Sequence, residues 1–185
     1  ASPDAITFTH VLKACCSVEA IDKIQHIHGE IESNGLLERN MDVGNALVDT
    51  YATCGMFGKA QEVFNKLPVR DIVSWNSLIG GYCKHGFFDE AMICYEWMQH
   101  EGIPADTITF LSNLKACSGN RDFHFCFRLH SNIIKKGLEN KDCLTNSLVD
   151  SYSKCGLFPE AQVMFTALPV KDAVAWTTLL TGYAQ

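Results

Sequence analysis

The chain has 185 residues, 47 % hydrophobic and 19 % charged, with a mean hydropathy near zero. That balance excludes a disordered tail and a collagen-like or low-complexity chain, and no run approaches the ~18 consecutive apolar residues of a membrane span. Lys and Arg number 15 against 21 Asp and Glu, a net charge of −6, so bulk charge leaves no nucleic-acid footprint.

The chain opens at Ala1 with no charged, apolar or Arg-rich leader and ends at Gln185 in mid-pattern, so a piece of something longer is expected. Nine cysteines are odd in number, lack CxxC spacing and often occupy apolar helical positions. They read as small buried hydrophobes in a reducing compartment rather than as a disulfide framework.

A long repeat organises the elements. TF-x3-LKAC at Thr7–Cys15 returns at Thr109–Cys117, and His28 and Gly35-Leu36 return as His130 and Gly137-Leu138, all 102 residues later. Asn45, Tyr51, Cys54-Gly55, Leu67-Pro68 and Trp75 return 101 residues later as Asn146, Tyr152, Cys155-Gly156, Leu168-Pro169 and Trp176. One residue has been gained or lost near position 140. Each copy divides again into helix–break–helix segments: 5–40, 41–71, 72–106, 107–141, 142–172 and a partial 173–185. Gly35, Pro68, Gly102-x-Pro104, Gly137 and Pro169 stop the second helices, and Pro159 suits a first helical turn. Strand-type alternation is absent. Hairpins of 31–36 residues cannot bury their faces alone, so the expected fold is all-α, a right-handed α-solenoid of stacked helix-turn-helix units.

In the helix 72–84, Trp75, Leu78, Ile79 and Tyr82 share one apolar sector. Val73, Asn76, Gly80 and Lys84, at helix positions 2, 5, 9 and 13, share another. Asn is a poor helix-interior residue, yet it returns at position 5 as Asn45, Asn76 and Asn146, and those three segments end in Asp71, Asp106 and Asp172. Either residue alone has a structural explanation: Asp caps helices, and Asn can bond a neighbouring helix. The joint pattern points to function.

These residues resemble plant pentatricopeptide-repeat proteins of the mixed-length class, in which long, short and 35-residue motifs alternate. DIVSWNSLIGGYCKHG, VGNALVDTYATCGMFGKAQEVFNKLPVRD and TITFLSNLKAC carry the resemblance, which extends over all 185 residues. It implies long motifs at 5–40 and 107–141, short motifs at 41–71 and 142–172, a 35-residue motif at 72–106 and a partial one at 173–185. It further implies single-stranded RNA as partner, one base per repeat, with residues 5 and last selecting the base. Asn45/Asp71, Asn76/Asp106 and Asn146/Asp172 resemble uridine pairs and Thr9/Asn40 the adenosine pair. Thr177 begins a purine-type pair, and Leu111/Lys141 departs from every usual pair. The implied target is 5′-A-U-U-x-U-3′. The aliphatic second residues Ile6, Val73, Ile108 and Val174 would sandwich bases, Asp42 breaking that pattern, and Lys84 and Lys154 would touch phosphate. The resemblance also implies a mitochondrion or chloroplast, an organellar RNA-editing or processing task, and editing or processing co-factors as further partners.

A groove carrying Asp42, Asp49 and Asp150 beside its lysines predicts a small salt slope. Five bases at about 1–3 kcal/mol each compete with an association cost of ~4–15 kcal/mol. No catalytic residue, metal or cofactor is expected. His28-Gly29-Glu30 matches the HxE half of a zinc deaminase signature, but the PCxxC half is missing, and His130 recurs without the Glu. A deaminase-type domain beyond Gln185 stays open. Neither a membrane nor a small-molecule substrate is indicated. The rival is a tetratricopeptide-like protein scaffold, for which Trp75, Leu78, Tyr82 and Ala91 fit, although a steady 34-residue period does not explain segments of 36, 31 and 35. A spacer with an unused groove is the third reading.

Overall fold

The computed structural model describes residues 5–17, 20–171 and 173–183, without the side chain of Val174. Asp172 lies outside the described residues. Every regular element among them is helical: α1 (Ala5–Ser17), α2 (Ile21–Ser33), α3 (Leu36–Arg39), α4 (Met41–Thr53), α5 (Phe57–Lys66), α6 (Ile72–Lys84), α7 (Phe88–His100), α8 (Thr107–Asn120), α9 (Phe123–Lys135), α10 (Asp142–Lys154), α11 (Phe158–Ala167) and α12 (Ala173–Tyr183). Contacts divide the chain into two compact units, Ala1–His85 and Gly86–Gln185. The all-α expectation holds, and α6 spans the residues on which the two faces were drawn. The four-residue α3 was not anticipated.

Local chemistry sets the helix ends. The Asn40, Asp71, Asp106 and Asp122 side chains accept from the backbone N–H three residues on, at 3.2, 2.9, 2.8 and 3.0 Å, and so cap α4, α6, α8 and α9. Thr109 completes a capping box with Asp106. Pro159 sits in the first turn of α11. At the end of α4, Gly55 takes φ +74°, and the Met56 N–H reaches back to the Tyr51 carbonyl at 2.8 Å. Gly156 and Leu157 repeat that closure onto Tyr152 after α10, so a left-handed glycine turns α4 and α10 into their second helices, whereas Arg121 takes that conformation after α8.

In the first unit α1 packs on α2 and α4, and α4 on α5 and α6. In the second unit α7 packs on α8, α8 on α9 and α10, and α10 on α11 and α12. First helices thus touch first helices, with second helices backing them. Aromatic pairs repeat with the sequence. Phe64 meets Trp75 edge-on at 4.6 Å and Phe165 meets Trp176 at 4.7 Å, while Phe57–Tyr82 and Phe158–Tyr183 stack at 4.4 and 5.1 Å. His28 shares a hydrogen bond with the buried Tyr51 hydroxyl at 3.1 Å, as His130 does with Tyr152 at 2.7 Å. Both histidines therefore hold second helices onto first helices. Five cysteines (Cys15, Cys83, Cys94, Cys117, Cys126) are buried as free thiols.

Adjacent glycines in α6 make opposite demands. A Cβ on Gly81 would meet the Ala52 methyl at 2.5 Å and the Ala52 carbonyl at 3.0 Å, whereas one on Gly80 would meet nothing within 4 Å. Gly81→Ala is expected to lower stability by about 1–3 kcal/mol, and Gly80→Ala to raise it by about 1 kcal/mol; urea midpoints of the two variants check the opposite signs. Burial is the main cause lowering the pKa of His28, against a partial pull upward from Glu32, and burial also lowers that of His130. Folded histidines that resist protonation bind fewer protons than unfolded ones. Their contribution is therefore complete above the ordinary value of 6.5 and is lost as pH falls toward the lowered folded values. The melting temperature should drop between pH 7.5 and 5.5, and less so in His28→Gln/His130→Gln.

Candidate nucleic-acid interface

Asn40, Asp71, Asp106 and Lys141, which end the first four segments, stand at the N-cap positions of the next first helices. Asp71 Oδ1 accepts from the Ser74 N–H at 2.9 Å, which locks the carboxylate at the head of α6. The Asn45 side chain, on α4, donates its Nδ2 to both Asp71 oxygens at 3.2 Å. The two explanations of the sequence pattern are therefore one arrangement: the cap fixes the carboxylate, and the carboxylate fixes the amide. A nitrogen committed to a carboxylate leaves the amide rotamer no freedom to flip, so Oδ1 is the polar atom left to a ligand.

The other positions fall out differently. Asn76 is half-buried on α6 of the first unit, and Asp106 caps α8 in the second. Asn146 is half-buried on α10, its Oδ1 buried without a hydrogen-bond partner among the described residues; its expected partner Asp172 lies outside them. Thr9 donates to the Ile6 carbonyl in its own helix at 2.8 Å, while Asn40 caps α4. Lys141 makes no cap; its Nζ donates to Thr107 Oγ1 at 3.1 Å. Leu111/Lys141 thus departs from the others in structure as in sequence. Thr177 donates to the Ala173 carbonyl at 2.6 Å.

Ile6, Val73 and Ile108 at position 2 are 66 %, 52 % and 59 % exposed, aliphatic surface of the kind that grips a flat ring. The side chain of Val174 lies outside the described residues. Lys84 donates to the Thr53 carbonyl at 3.2 Å, and Lys154 pairs with Asp150 at 2.7 Å. Asp150 therefore offsets the Lys154 charge.

Between α8, α10 and α12 runs a cleft of about 270 Å³, lined among others by Leu111, Lys115, Asn146, Ser147, Asp150 and Thr178. Position-5 and position-9 residues of successive first helices face this one space. The Ser118 and Ser151 hydroxyls share a hydrogen bond at 2.9 Å at its floor, one donating to the other, and both lie within hydrogen-bond distance of the Leu114 carbonyl, at 2.9 and 3.1 Å. Sequence reasoning missed this pair. Its signal is small hydroxyl residues recurring where two first helices approach closely. Among the described residues no group of three or more His, Cys, Asp or Glu could hold a metal ion, and no helix is long and apolar enough to cross a membrane.

Comparison with known proteins agrees with this layout. The family model described as "PPR repeat family" matches residues 70–119, and the one described as "PPR repeat" matches 45–72 and 144–169, together more than half of the chain. A chloroplastic pentatricopeptide repeat-containing protein of Arabidopsis thaliana is 37 % identical over 95 % of this chain and 34 % of its own length. A mitochondrial one from the same plant is 35 % identical over 98 % of this chain and 18 % of its own length. The chain thus spans about a third or less of these relatives. The crystal structure of the pentatricopeptide repeat protein PPR10 in complex with an 18-nt psaJ RNA element superimposes with a TM-score of 0.71 at 25 % identity, over 90 % of this chain and 25 % of that one. Paired helices, position-2 aliphatics, capped boundary residues and these likenesses agree, and the chain belongs to the pentatricopeptide-repeat family.

Proposed function

We propose that the chain binds single-stranded RNA along its first helices, one base per repeat, as part of an organellar RNA-editing or processing factor of the mixed-length class. The supporting observation is the Asn45–Asp71 arrangement, in which an amide is held in one orientation by a capped carboxylate. Uracil offers an acceptor–donor–acceptor edge, and a fixed carboxamide oxygen answers its N3–H. Exposed Ile6, Val73 and Ile108 supply ring-gripping surface between successive bases. The proposed segments 5–40, 41–71, 72–106, 107–141 and 142–172 then face A, U, U, an unread base and U. The chloroplastic and mitochondrial relatives, and the RNA bound in the PPR10 crystal, support an RNA partner in one of those organelles.

Fluorescence anisotropy against A-U-U-N-U and its single U-to-C variants tests the reading. Asn45→Ala is expected to weaken binding roughly ten- to a hundredfold, on the scale of one lost base contact, and mainly when the second base is U. An equal loss for every base would refute base selection there. Lys84→Ala is expected to weaken all sequences alike and to flatten an already shallow salt slope by about one; a base-selective loss would contradict a phosphate role.

A further inference from the structure

The two copies of the long repeat differ most on the second helices. In the first unit, Lys66 pairs with Glu32 at 2.9 Å and with Glu62 at 3.1 Å, and Lys59 pairs with Glu62 at 2.9 Å, with Gln25 exposed beside them. The corresponding residues of the second unit are Ala167, Ile134, Val163, Glu160 and Phe127. Four charged or amide side chains have become apolar. Phe127, Ile134 and Val163 are 40 %, 52 % and 61 % exposed. A solvated ion-pair face in one copy is an open apolar face in the other, and such patches mark contacts.

The residue lost near position 140 lies under this face. In the first unit Leu37 on α3 is buried, close to Gly44, where an added Cβ would run into the Leu67 side chain and come within 3.6 Å of Leu37. The second unit has no counterpart of Leu37, and Thr145 stands where Gly44 stood. There a cavity of about 490 Å³ opens between α9, α10 and α11, with Ile134, Leu148 and Met164 in its wall and Glu139 and Asp142 at its polar side. His130 and Met164 also line a second, largely apolar cavity of about 260 Å³ with Phe127, Val163 and Glu160. The Glu160 Oε2 is buried with no hydrogen-bond partner among the described residues, although its counterpart Lys59 is ion-paired.

We infer that the α9–α11 face docks a protein segment presenting a leucine-type side chain together with a lysine or arginine. The aliphatic group takes the space that Leu37 fills in the other copy. The cation is drawn to the carboxylates of this face, Glu160 lining the smaller cavity and Glu139 and Asp142 the larger. The face lies on second helices, so a bound segment leaves Asn146, Asp150 and the cleft on the first helices open.

The probe is a peptide of residues 33–41 of this chain, which carries Leu36, Leu37 and Arg39, titrated against the isotope-labelled 185-residue chain by amide and methyl NMR. Saturable shifts are expected at Phe127, Ile134 and Met164. They should weaken at least tenfold in Val163→Glu/Ala167→Lys, which restores the charges of the first copy, and in a variant with Leu inserted between Leu138 and Glu139. A peptide with Arg39→Gln should bind several-fold more weakly. RNA affinity should be unchanged in the double variant, which also shows that it is folded. Absence of saturable shifts at millimolar peptide, equal shifts in both variants, or indifference to Arg39 would overturn the inference. So would dimerisation in sedimentation that Val163→Glu abolishes, because the occupant would then be a second copy of the chain.

Discussion

Everything in this chain hangs on the residue at the junction between one segment and the next. A helix begins with N–H groups that have no intrahelical partner, and Asn40, Asp71 and Asp106 supply the missing acceptor. That need fixes where α4, α6 and α8 start, and hence which residue of each stands fifth. For Asp71 the same carboxylate has capacity left over, and Asn45 uses it. A capping carboxylate is among the least mobile polar groups that a protein surface offers, because moving it uncaps a helix. An amide tied to it inherits that rigidity, which is the preorganisation a recognition surface needs.

Much of this was legible because repetition converts weak signals into strong ones. A single Asn in a helix has many explanations, but Asn45, Asn76 and Asn146 with Asp71, Asp106 and Asp172 have few. The helix bounds were legible because glycine, proline and capping residues act locally, as at Gly55 and Asp106. Charge at the surface was not. Sequence placed Lys154 and Asp150 in one groove without pairing them, whereas the structure joins them in an ion pair at 2.7 Å. The serine pair at the cleft floor was also hidden, since Ser118 and Ser151 come from different segments and only their packing makes them partners. α3 was missed because its four residues are too few to show a period.

In the proposed groove Lys154 is paired with Asp150 and Lys84 donates to the Thr53 carbonyl, which narrows the physics open to it. A surface that neutralises few phosphates releases few counterions, so under the proposed RNA reading binding strength would come from rings gripped by aliphatic side chains and from edges met by fixed amides. Both scale with the number of repeats. On that proposed reading, each added segment would contribute another base contact against an association cost incurred only once. On the same reading, the repeat holding Leu111 and Lys141 would read no base and still keep the spacing of its neighbours.

The divergence between the two second-helix faces follows from the same division of labour. First helices touch one another within each unit and set the spacing, so their apolar residues recur almost unchanged between copies. Second helices present an outer surface on which spacing does not depend. Exchanging Glu32, Lys66 and Glu62 for Ile134, Ala167 and Val163 alters stability little, since exposed ion pairs contribute only about 0–1 kcal/mol. What it alters is the affinity of that surface for other apolar groups. Stability therefore cannot account for the exchange. Nor can it account for the absence of a Leu37 counterpart, because an unfilled cavity costs stability, or for a carboxylate oxygen at Glu160 buried without a donor among the described residues. These last two are unfavourable in isolation, and the proposed docking of an aliphatic side chain together with a cation offsets both.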